Sequence, residues 1–420
     1  FPTRRSSDLR LAKPSEASVL TINNGDVWEG KLVLSNSSVT LDKNYGTVTL
    51  GANMLESSDT GSIFLNDGAT INITGDNTGY QAIYSQTGGS LSSTSSNLFT
   101  GKKQINPGVN SADKTATVTI NDGENPFSLS DLNNFELGSY VNMTVTSGGG
   151  DIGKTETGTP TPILSFKPNS TNTKVTFQNG GVDLAKYNLY SIFGTDSNPA
   201  NTLIIKGAEL VLKDTSYAGP NYVLGKDTIL DLQKNAEGEN PNKTYTFNHL
   251  YISDDAGGQI DLKIDLDIGS GKGDEINIRN GAGIYNLSND SISTGGKFYI
   301  SDMVFSNIVP NGVDRRVTLL TVPTSSSFSI EMDPSVFDGK IVDVNTVNVL
   351  WNQVNIDFVT GHEPRIVTEE SGLYTKYILT YQYSQSKNLL AAWNRRHADE
   401  DKTFKFDNQY QTEKYEVSEN

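Results

Sequence analysis

The chain of 420 residues contains no cysteine. That excludes disulfides, thiolate metal sites and cysteine nucleophiles. Secreted proteins often carry disulfides, but a protein that crosses an oxidising periplasm unfolded gains by having no thiol to cross-link early. The absence is therefore compatible with bacterial export. Only three histidines are present, His249, His362 and His397, and none stands three or four residues from another. Glu363 follows His362 without the second histidine that a zinc helix requires. Each is read as a structural or surface histidine. No run approaches the roughly 18 apolar residues of a membrane-spanning helix. There is no G-x-S-x-G elbow, and the glycine runs Gly148–Gly150 and Gly269–Gly273 lack the spacing of a phosphate loop.

Charge is sparse and one-sided. Charged residues make up 20% of the chain and the formal net charge is −16. An acidic surface repels phosphate backbones, which argues against a nucleic-acid partner. Asparagine, serine, threonine and 39 glycines fill the gap. β-Branched and aromatic residues recur throughout, so the composition is that of turn-rich β structure, not of a disordered chain.

Short alternating segments run from end to end. Ser18–Ile22, Lys31–Leu34, Ser38–Leu41, Thr47–Leu50, Ser62–Leu65 and Thr70–Ile73 come first. Thr115–Ile120, Val141–Val145, Lys174–Phe177, Thr202–Ile205, Glu209–Leu212 and Thr228–Leu232 come later. Period two means one buried and one wet face. Asn24-Gly25, Asp67-Gly68, Asp122-Gly123, Asn179-Gly180 and Asn280-Gly281 are read as turns or corners. Residues 101–114, 148–172 and 235–243 are polar and read as loops that leave the repeating body. So many short strands without a helical interlude exceed what one sandwich or barrel absorbs. A β-solenoid accommodates them by adding rungs.

The clearest strand is Gln259–Ile268, with Ile260, Leu262, Ile264, Leu266 and Ile268 on one face and Asp261, Lys263, Asp265 and Asp267 on the other. Asp265 and Asp267 then project from the same face, about 7 Å apart. With Asp274 and Glu275 they form an oxygen-rich candidate calcium site; the plainer reading is a solvated strand face. No catalytic residue or organic cofactor is assigned.

The succession Gly258, Ile260-Asp261-Leu262, Ile264 to Asp267, Lys272 to Ile278 and Gly281-Ala282-Gly283 resembles a late passenger region of bacterial autotransporters, over roughly 30 residues. The resemblance implies an all-β fold, a single-stranded right-handed parallel β-helix. It implies display at the outer-membrane surface and a C-terminal transmembrane β-barrel. After residue 384 there is no series of ten-residue alternating strands, which departs from that pattern. Ser386–Arg396 reads as a short helix, a cap or a linker toward a barrel, and Thr403–Asn420 as a polar, unstructured tail. Phe1–Leu9 resembles one frame of a sequencing adapter translated by mistake, so the natural chain is expected to begin near Arg10. The expected layout is therefore 10–384 as β-helix passenger and 385–420 as helix and tail. The expected function is that of an adhesin or structural stalk without catalysis, meeting a host or neighbouring-cell surface glycan or protein. A pectin-lyase-like carbohydrate-active enzyme and a surface-layer or fibre component are the alternatives. Trp28 and Trp351 are read as core or corner residues.

Overall fold

The computed structural model describes residues 88–94, 103–127, 135–152, 164–191, 200–233, 242–267, 270–306, 314–332, 336 and 365–382. It also describes the backbone strands Leu9–Ala12, Val19–Leu20, Leu32–Ser35, Ser38–Leu41, Thr47–Gly51, Leu55–Ser58, Ser62–Leu65, Thr70–Thr74, Ile83–Gln86, Lys402–Phe406 and Tyr415–Glu419. The helix expected at Ser386–Arg396, the Asn24-Gly25 and Asp67-Gly68 turns, Trp28, Trp351, His362 and His397 lie outside the described residues. So does most of 235–243.

The fold is all-β, and its sheets are mainly parallel. Among the described residues helical structure is of the 3-10 kind only, with turns at Ala112–Lys114, Asp254–Ala256 and Thr324–Ser326 and single residues at Gln233 and Val336. A long sheet of 15 strands includes Thr47–Gly51, Thr70–Thr74, Ser90–Ser93, Ala116–Asn121, Val141–Ser147, Lys174–Asn179, Thr202–Lys206, Asn221–Leu224, Thr244–Ser253, Glu275–Tyr285 and Asp314–Pro323. A 7-stranded sheet runs from Val19–Leu20 to Leu164–Phe166, and an 8-stranded sheet from Gly149–Ile152 to Ser329–Met332. The chain visits these sheets in turn. From Val141–Ser147 in the long sheet it enters Gly149–Ile152 in the 8-stranded sheet and Leu164–Phe166 in the 7-stranded sheet, then returns as Lys174–Asn179. Parallel neighbours require a crossover of a dozen residues or more. Here strands of the other sheets supply it in place of a helix.

Alternation decides which side chains enter the core. In the long sheet Val118, Met143, Val175, Leu203, Tyr222, Leu250 and Ala282 stand in one inward column, each paired in register with the next. All seven are buried and belong to one hydrophobic cluster that also takes in residues of the other two sheets. Burying each such Leu, Val or Met side chain contributes about 1.5–3 kcal/mol. Aromatic rings fill the wider parts: Phe177 meets Tyr187 edge-on at 5.9 Å, and Tyr217 stacks on Phe247 at 4.7 Å.

Asparagines tie the corners. Asn106, fully buried, accepts the Gly88 N–H at 2.7 Å and donates to the Lys114, Ser139 and Tyr140 carbonyls. Asn201 accepts the Thr173 N–H at 3.1 Å and donates to Ser170. One amide supplies both hydrogen-bonding senses, and this satisfies backbone groups that the ladders leave over.

Four expectations change. First, the polar stretches 101–114 and 148–172 contain strands Lys103–Ile105, Gly149–Ile152 and Leu164–Phe166. A three-residue strand carries too little alternation to stand out from its polar flanks. The glycines of 148–150 are there for close approach: a Cβ on Gly149 would lie 2.3 Å from the Lys186 carbonyl oxygen, and one on Gly150 2.7 Å from the Phe127 ring. Second, Asn280-Gly281 is not a corner but sits within Glu275–Tyr285. There the register to Thr244–Ser253 slips between Phe247 and His249, so the pair marks a bulge. Third, the tail carries strands Lys402–Phe406 and Tyr415–Glu419, paired antiparallel. Fourth, the parallel run of the long sheet stops before residue 384. Tyr374–Gln382 pairs antiparallel with Asp314–Pro323, and Arg365–Ser371 pairs antiparallel with it in turn.

Candidate functional site

The outer face of the 8-stranded sheet gathers the charge. Strand Gln259–Asp267 alternates as the sequence requires, with Ile260, Leu262, Ile264 and Leu266 at most 2% exposed and the intervening Asp261, Lys263, Asp265 and Asp267 half-buried on the other face. Parallel register brings distant acids beside it. Asp231 pairs with Lys263, which pairs with Asp302. The Lys263 ammonium stands 3.8 Å from carboxylate oxygens of both Glu209 and Asp231, each of them buried. A lysine between two buried carboxylates offsets part of their desolvation.

The four acids singled out from the sequence are only partly brought together. Asp274 is buried, and both its oxygens are occupied by backbone donors. Oδ2 accepts the Asp265 N–H at 2.8 Å and Oδ1 the Lys243 N–H at 3.1 Å. Burial pushes its carboxyl up to about 7, against the pull of those two donors. Asp265 lies next to it, and its Oδ1 is buried without a hydrogen bond among the described residues. Burial, reinforced by the Asp302 charge, raises Asp265 to about 6. Asp267 remains on the same face but accepts the Ser270 N–H at 3.1 Å. Glu275 belongs to the long sheet and is held by hydroxyls, donated by Thr321 at 2.8 Å and Thr244 at 3.4 Å. The four therefore do not converge. Among the described residues no group of three or more acid or histidine side chains is arranged to hold a metal ion.

A cleft of about 550 Å³ lies at the border of the long and 8-stranded sheets, lined by Lys226, Asp227, Thr228, Asp255, Gln259 and Asp261 among others. Among the lining residues, Asp255 pairs with the Lys206 ammonium at 2.7 Å and accepts the Lys226 N–H at 3.1 Å. His249, on the long sheet, stacks on Tyr251 with ring centroids 6.5 Å apart, and burial holds its imidazole below its usual range. Among the described residues its buried Nδ1 has no hydrogen-bond partner.

Glu209, Asp231 and Asp302 escaped the sequence reading. They come from three strands separated by 20 or more residues, and only register unites them. Asp302 also depends on a bulge, since the register of Lys297–Ser306 shifts opposite Leu262 and Lys263. No family model matches the chain, and no match was found among curated proteins or solved structures.

Proposed function

We propose that this chain is the body of a secreted or surface-displayed passenger, a right-handed parallel β-helix that serves as an adhesin or structural stalk at a bacterial outer-membrane surface. The observation that carries the reading is the rotation of the chain through three parallel sheets around one hydrophobic core. A solenoid of this kind extends a surface away from its anchor at low cost in sequence, because each rung contacts only its neighbours. The acidic, weakly charged exterior suits exposure to salt. The partner in this reading is a glycan or protein of a host or neighbouring cell, and the membrane is met only through a barrel beyond residue 420.

A second reading rests on Asp265. A carboxyl held near 6 beside a second acid, Asp302, is a feature of acid–base sites. It favours a carbohydrate-active enzyme built on the same scaffold. Both readings are tested by incubating the purified chain with a panel of immobilised glycans and matrix proteins. Saturable retention without release of reducing ends is the expected result. Release of reducing ends that the Asp265→Asn variant abolishes would overturn the non-catalytic reading.

A further inference from the structure

The outer face of the long sheet changes character along its length. Over the strands Thr47–Gly51, Thr70–Thr74, Ser90–Ser93, Ala116–Asn121 and Val141–Ser147 the register continues without a shift. One outward column runs Ser92, Thr119, Thr144, Thr176, and the column beside it runs Ser90, Thr117, Asn142. The backbone register continues toward the N-terminus through Asn72 and Thr49, and through Thr70 and Thr47. No charged residue and no aromatic occurs in either column up to Asn142. In a chain of net charge −16 that is a marked local neutrality.

The neutral array ends at Lys174, and past that point the chain covers its own outer face. Beyond Thr176 the same column becomes Ile204, Val223 and Tyr251, which cluster with Tyr285 and Leu287. The segment Asn286–Ser293 folds back at this cluster. Its Asp290 accepts the Tyr285 hydroxyl at 2.8 Å and reaches the Lys174 ammonium at 2.5 Å. Among the described residues the protein thus shields the apolar end of the face with its own chain, whereas at the hydroxyl-bearing end Thr117 and Asn142 are exposed and Ser90, Ser92, Thr119 and Thr144 are half-buried.

We infer that this open array binds ice. Its side chains repeat about 4.7–4.9 Å apart from strand to strand and about 6.7 Å apart along a strand. These spacings lie close to oxygen repeats on the faces of ice. A crystalline ligand rewards rigidity, and threonine supplies it: its β-branch fixes χ1 and presents a methyl and a hydroxyl together. The inward neighbours Val118, Met143 and Val175 are fully or almost fully buried, so the strands that carry the array are held from beneath. Charged groups would keep their own hydration shells and resist incorporation into the lattice; the array has none before Lys174. Soluble glycans, by contrast, are usually gripped by aromatic faces, and none is present in the part of these columns that precedes Lys174. Ice binding uses the parallel, unshifted register of these strands, and is independent of the adhesin reading.

The test is ice-affinity partition and ice recrystallisation of the full chain. The wild-type chain is expected to concentrate in the ice fraction several-fold over an acidic non-binding protein and to arrest grain growth. Thr119→Lys combined with Thr144→Lys should abolish both, and so should Thr117→Tyr, whose exposed position leaves folding intact. Gln104→Lys on the 7-stranded sheet should change neither. Exclusion of the wild-type chain from ice, or full binding by folded Thr117→Tyr, would overturn the inference.

Discussion

Asp274 and Asp265 clasp each other through the backbone: the Asp274 carboxylate accepts the Asp265 N–H at 2.8 Å, and the Asp274 N–H donates to the Asp265 carbonyl at 2.9 Å. The same carboxylate also takes the Lys243 N–H, so one buried side chain joins the return from strand Gln259–Asp267 to the segment that precedes Thr244–Ser253. This is a stabilising role, and it explains why an acid is tolerated in a buried place.

Removing that side chain leaves two backbone donors without an acceptor. Asp274→Ala should therefore cost about 2–6 kcal/mol in urea unfolding, since each of the two orphaned buried donors costs about 1–3 kcal/mol. Asp274→Asn retains one acceptor and should fall between. A midpoint shift within error for Asp274→Ala would refute the assignment.

The same pair sets a pH dependence. Asp265 and Asp274 hold their protons up to about 6 and about 7, above the ordinary carboxylate value of 3.8. The folded state thus binds protons that the unfolded chain has released, and the stability this contributes is present below pH about 4 and lost as pH rises through 6 and 7. Other carboxylates act in the opposite sense, so the comparison must be internal. The stability of wild type relative to Asp265→Asn should decline between pH 4.5 and 8 at constant ionic strength. A flat difference across that range would contradict the raised carboxyl.

The two faces of Gln259–Asp267 should respond in opposite ways. Leu262→Ala removes a side chain that is 1% exposed and should cost about 2–5 kcal/mol. Asp261→Ala, on the wet face, should change stability by about 0.5 kcal/mol or less. Equal effects in denaturant titrations would mean that the strand is not half-buried.

Gly149 tests the reassigned loop. Its φ is +136° and an added Cβ would meet the Lys186 carbonyl oxygen at 2.3 Å. Gly149→Ala should lower stability by about 1–3 kcal/mol through strain and displacement of the neighbouring strand. Near-neutrality in thermal unfolding would return residues 148–152 to loop status.

Much of the body was legible because alternation is a local signal. Ser38–Leu41 and Ser62–Leu65 coincide with observed strands, and Gln259–Asp267 matches the expected strand up to Ile268, which lies outside the described residues. Three kinds of feature were not legible. The strand Lys103–Ile105 is shorter than two periods. The bulge at Asn280-Gly281 uses residues that also make turns, and only pairing distinguishes the two. The Glu209, Asp231, Lys263 and Asp302 cluster arises from register across four strands, and nothing near any one of these residues announces the others. The carboxylates that did stand near each other in sequence were divided between two sheets, because a strand reversal separates Asp265 and Asp267 from Glu275.

Small-angle scattering on the purified chain tests the solenoid most directly. Rungs stacked at about 4.8 Å predict a rod on the order of 80 Å long, with a long-tailed, asymmetric distribution of interatomic distances. A symmetric distribution with a radius of gyration of about 21–22 Å, as for a compact globule of this length, would contradict it.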